Sequence, residues 1–155
     1  MVAGLLLACV TSELPPGRVD GRQWSSDELG LAITFPDGWA IATDPEHFQG
    51  GLSGTLLEGR WEQTQVALTW HSARVPGMEQ ASALDLLHLL APVVMVRSDP
   101  TYRLERIPHC KDAVERRFEG WTQVGLRAGD GLLLLQAWAG TEGLRELVCE
   151  HTRWL

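Results

Sequence analysis

Lysine is almost missing from this chain. Lys111 is the single one, and the 13 Lys+Arg stand against 20 Asp+Glu, for a formal net charge of −7. A nucleic-acid partner requires a basic face that neutralises phosphates, and no basic cluster exceeds the pair Arg116–Arg117. That argues against nucleic acid. Long apolar runs are missing too. None approaches the roughly 18 residues that a membrane-spanning helix needs. Catalytic motifs are equally scarce. Ser53 lies among glycines, but a nucleophile elbow needs glycine two residues to either side, and Gly51 and Thr55 hold those positions. No Gly-rich phosphate cradle ends in Lys-Ser/Thr. With no visible nucleophile–base pair, no catalytic residue, cofactor or metal is assigned.

What is present describes an ordinary globular domain. Its 155 residues are 45% hydrophobic and 21% charged, enough for one domain with a real core and too short for two. Tryptophan is abundant, seven against the lone Tyr102. A small domain does not readily hide seven indoles.

The N-terminus carries an address. Val2–Val10 is a short apolar run that contains Leu6-Leu7-Ala8-Cys9, a hydrophobic stretch followed by a small residue, as in a secretory signal. The tetrapeptide LLAC resembles the lipobox of bacterial lipoproteins. That resemblance implies a signal peptide over 1–8, a diacylglyceryl thioether on Cys9, and an acylated new amino terminus. Two or more acyl chains make such an anchor stable. The alternative is an apolar N-terminus packed as an edge strand, with Cys9 a buried thiol. Thr11–Gln23 is polar, holds Pro15-Pro16-Gly17 and has no periodicity, so 9–23 reads as a flexible tether before a single domain at 24–155.

The domain is organised around Leu29–Trp39. Leu29, Leu31, Ile33 and Phe35 alternate as in a half-buried strand, and Pro36-Asp37-Gly38 stops it. Ala40–Gly51 reads as a loop. Thr55–Trp61 and Gln65–His71 form a predicted hairpin across Glu62-Gln63-Thr64. A helix is expected from about Glu79 to Leu90, with Ser82…Asp85 as a start signal. Further strands are expected at Tyr102–Ile107, Ala113–Gly120 and Trp121–Arg127. After a turn at Gly129-Asp130-Gly131 comes Leu132–Ala139, LLLLQAWA, whose unbroken apolarity predicts a central strand covered on both faces. Thr141 is the expected cap of a last helix with the stripe Leu144, Leu147 and Val148. The predicted class is α+β, a largely antiparallel sheet with helices packed on it.

FPDGW at the end of the early strand, the late LLLLQAWA and the closing TRWL together resemble the PsbP-like fold. That group includes DcrB-type bacterial lipoproteins, the photosystem II extrinsic protein and secretion-system chaperones. The resemblance implies a non-enzymatic binding or assembly role. With the lipobox, it gives the expected function: a lipid-anchored module of the cell envelope, facing the periplasm or the cell surface. Its partner is an envelope protein or small ligand, and it meets the membrane only through its anchor. The alternative is a cytoplasmic chaperone that holds an apolar segment of an exported protein.

Two sets of candidate site residues follow. If Cys9 is lipidated, two thiols remain, and an oxidising compartment favours a Cys110–Cys149 disulfide. Two buried free thiols, or a zinc site with His109 and His151, are the alternatives. Trp39, Trp61 and Trp121 stand at predicted strand ends, where aromatic side chains line ligand or peptide grooves; core packing is the competing role for each.

Overall fold

The computed structural model describes residues 17–43, 53–73, 76–90, 101, 103–138 and 143–155. Cys9 and the expected signal peptide lie outside them. Among the described residues, eleven strands form two sheets. The larger has seven strands in the order β4 (Ala40–Ala42), β5 (Ser53–Trp61), β6 (Thr64–Ser72), β10 (Gly131–Trp138), β9 (Trp121–Ala128), β8 (Ala113–Phe118) and β7 (Arg103–Arg106). The smaller has four: β1 (Arg18–Asp20), β2 (Gln23–Ser26), β3 (Leu31–Thr34) and β11 (Thr152–Trp154). Every pairing is antiparallel. Two short helices, α1 (Ala83–Leu90) and α2 (Leu144–Cys149), complete the described structure.

The apolar run LLLL explains the layering. β10 sits at the middle of the large sheet, and its side chains alternate between two cores. Leu133, Leu135 and Ala137 face inward, into the core formed with Trp24, Leu31 and Ile33 of the small sheet, Phe35 just beyond β3, and Leu144, Leu147 and Val148 of α2. Leu132 and Leu134 face outward, under Ala83, Leu86 and Leu87 of α1. Each fully buried leucine contributes about 1.5–3 kcal/mol of transfer free energy. One polar device joins α2 to the sheet. Arg145 pairs with the buried Glu115 at 2.6 Å and with Glu105 at 2.8 Å, and Arg117 also meets Glu115 at 2.9 Å. These partners keep the Glu115 charge compensated in the core.

The architecture is therefore dominated by antiparallel sheet, and it departs from the sequence expectations in definite places. A second sheet shares the inner face with α2, where helices alone were expected as the cover. The folded region begins inside the stretch read as tether, because Arg18–Asp20 pairs with Gln23–Ser25. Ala40–Ala42, read as loop, is the edge strand β4. The first helix starts at Ala83, four residues after the expected Glu79, because Ser82 caps it. Thr141 lies outside the described residues, and α2 is preceded by Gly143 with no side-chain cap. The closing TRW is not a trailing end: it is β11, paired with Leu31–Ile33.

Candidate functional site

Local rules bring two indoles to one corner of the inner core. The buried Phe35 follows β3, and the chain must turn at Pro36-Asp37-Gly38 to reach β4. Gly38 adopts φ +89°, the left-handed region open to glycine. Arg22 locks this turn, donating from Nη1 to the Phe35 carbonyl at 2.7 Å and pairing through Nη2 with Asp37 at 2.9 Å. Trp39 then lies against Phe35 with ring centroids 5.7 Å apart, and stacks on Trp61 at 6.0 Å and 28°. Trp61 is the last residue of β5 and faces Thr64 across a two-residue turn. Thr64 was expected inside that turn; it begins β6 instead.

Beside the stacked indoles is a half-open cavity of about 180 Å³. Val66 of β6 and Ala137 of β10, paired in register, supply its sheet side, and Leu144 and Leu147 of α2 face them. Asp37, Thr64, Glu146 and His151 add polar groups. His151 Nε2 lies 3.6 Å from Glu146 Oε1, beyond hydrogen-bonding reach and within range of an ion pair when the imidazole is protonated. The size is informative. A dry apolar cavity of about 150 Å³ accepts benzene, whereas drug-sized ligands occupy about 300–1,000 Å³. This one suits a single aromatic or branched aliphatic group.

The three tryptophans singled out from sequence do not share a groove. Trp39 and Trp61 meet at the cavity. Trp121 lies on the opposite face of the large sheet, stacked on Phe118 at 3.9 Å. Cys110 and Cys149 are joined in a disulfide across 39 residues. The bond takes both thiols, so neither is available as the thiolate a zinc site requires. Among the described residues no group of three or more His, Cys, Asp or Glu is placed to hold a metal. Sequence reasoning missed Val66, Ala137, Glu146 and His151 as lining residues. Val66 shares a face with Leu68 and Trp70 in a predicted strand, and Ala137 falls in the unbroken apolar run LLLLQAWA, but nothing in a linear pattern says that the core is incompletely filled beside them.

No protein family matches the sequence, and no curated protein does. Among solved structures, the chain is similar to the solution structure of cyanobacterial PsbP (CyanoP) from Synechocystis sp. PCC 6803. The identity is 11% and the TM-score 0.40, over 90% of this chain and 98% of that one.

Proposed function

We propose that this chain is a non-catalytic binding module of the bacterial cell envelope, held at a membrane by a lipid on Cys9. Its task is to receive an apolar side chain of a partner envelope protein in the Trp39–Trp61 cavity. The observation that carries this reading is the cavity itself: a stacked pair of indoles over an aliphatic base, open to solvent and sized for one side chain. Pockets of this kind concentrate binding energy on a single buried anchor. The disulfide supports export, because such bonds persist in oxidising compartments. The PDGW and TRWL segments support a PsbP-like assembly role without chemistry.

The test places a photo-crosslinking amino acid, p-benzoylphenylalanine, at Asp37 beside the cavity and irradiates cells of the native host. One envelope protein should be captured, and Leu144→Phe, which fills the cavity, should abolish the adduct. Intact mass of the chain from the same cells should show an acylated start at Cys9. An adduct indifferent to Leu144→Phe would sink the cavity reading. An unacylated chain that retains 2–8, with its thiols free, would transfer the role to a cytoplasmic chaperone.

A further inference from the structure

On the outer face of the large sheet, beyond the end that α1 covers, rings from neighbouring strands form a column. Phe118 of β8 and Trp121 of β9 stack at 3.9 Å and 5°, and Trp121 and Trp138 of β10 follow at 6.5 Å and 9°. The register requires this, since Phe118 lies opposite Trp121 and Trp121 opposite Trp138. The column ends at Trp138. Trp121 takes one face of its indole, and the ring remains 38% exposed.

The other side of Trp138 looks across β6 and β5, where the register places Gln65 and then Arg60. The side chains there are small. Ala67, Ala42 and Ala40 leave an open depression of about 400 Å³, with Trp138 at its border. Glu58, Arg60 and Gln65 border it as well, all exposed. Neither Glu58 nor Arg60 has an ion pair among the described residues. The volume lies within the small-molecule range of about 300–1,000 Å³.

The mixture of groups selects the chemistry of the occupant. A wholly apolar ring would strip water from Glu58 and Arg60 without replacing it. A cation would meet Arg60, and an anion would meet Glu58. A neutral ring with one apolar face and a rim of hydroxyls avoids all of these conflicts. Its C–H face lies on the indole, its hydroxyls donate to the Glu58 carboxylate and accept from the Arg60 guanidinium, and the Gln65 amide serves either way. We infer that the depression beside Trp138 is a carbohydrate site for neutral pyranose units. It lies on the opposite side of the sheet from the Trp39–Trp61 cavity and does not depend on that cavity's role.

The test is calorimetric and NMR titration of the full chain with maltotriose, cellotriose and triacetylchitotriose. At least one should bind with Kd between about 10 μM and 1 mM and shift the Trp138 indole N–H. Trp138→Ala should weaken that binding about tenfold or more. Arg60→Ala and Glu58→Ala should each weaken it several-fold; both residues are exposed, so these variants decide the question even if Trp138→Ala fails to fold. Three results would overturn the proposal: no trisaccharide bound at about 10 mM, an affinity unchanged by Arg60→Ala and Glu58→Ala, or binding at Trp138 of the planar cation tryptamine without any sugar.

Discussion

Gly38 shows how a single residue sets the geometry of the inner cavity. Its φ of +89° already disfavours any residue with a Cβ, and a Cβ there would lie 3.0 Å from Trp61 Nε1. Gly38→Ala therefore carries two penalties, backbone strain and a push on the ring that borders the cavity. The expected cost is about 1–2 kcal/mol of stability. It should come with a changed near-ultraviolet circular dichroism, because the Trp39–Trp61 stack must shift. A variant with wild-type urea midpoint and spectrum would show that the turn does not hold Trp61 as described. The glycine was legible in sequence as a turn signal. That the turn abuts Trp61 was not, because the contact spans 23 positions and depends on the pairing of β4 with β5.

At the scale of elements, the start of α1 is held from two directions. Within the helix, Ser82 and Asp85 cap reciprocally. Asp85 N donates to Ser82 Oγ at 3.3 Å, and Ser82 N donates to the Asp85 carboxylate at 3.1 Å. From outside, the carboxylate of Asp112 accepts from Ala83 N at 3.1 and 3.2 Å. Ser82→Ala should cost about 1 kcal/mol in unfolding experiments. The cap also titrates. The hydrogen bonds from Ser82 hold the Asp85 carboxyl below its ordinary range. The unfolded chain thus binds the proton more readily, so this contribution is complete above about pH 4 and fades as pH falls through the lowered folded value. Asp85→Asn should flatten that part of the acid limb in thermal melts between pH 5 and pH 3; an acid limb identical to wild type would count against the cap. The Ser82…Asp85 spacing was readable from sequence, whereas the Asp112 cap, from a loop 29 residues away, was not. The same division runs through the other elements. β10 announced itself because both of its faces are apolar. β1, β4 and β11 did not, because three-residue strands are too short for period-2 alternation to rise above chance. The burial of Glu115 was not legible, because a charge normally signals solvent; its pairing with Arg117 on its own strand and with Arg145 from α2 is what makes that burial tolerable.

Across the whole molecule, the loop from Ile107 to Asp112 links layers that the sheets alone would leave to apolar contact. Asp112 reaches α1 on the outer face and, through its carbonyl, Arg127 N of β9 at 3.2 Å. Lys111 places its ammonium 3.8 Å from the centre of the Trp154 ring on β11. Cys110 binds covalently to Cys149 at the end of α2. This last link matters most for the inner cavity, because α2 contributes Leu144 and Leu147 to it and is only six residues long. A helix of that length has no stability of its own and holds its place through packing, the Arg145 pairs and the disulfide. Closing a loop of about 40 residues lowers the entropy of the unfolded chain by an amount worth about 4 kcal/mol. Replacing both cysteines by serine should thus lower the melting temperature by about 10 °C. The loss should also be uneven. Hydrogen exchange should accelerate first in α2 and β11, while β9 and β10, in the middle of the large sheet, keep their protection until global unfolding. Uniform acceleration across both sheets would mean that the disulfide stabilises the domain as a whole and that α2 keeps its place without it. Selective loosening would mean that the wall of the cavity is held by the covalent bond, so that a reducing environment would weaken the cavity before it weakened the fold.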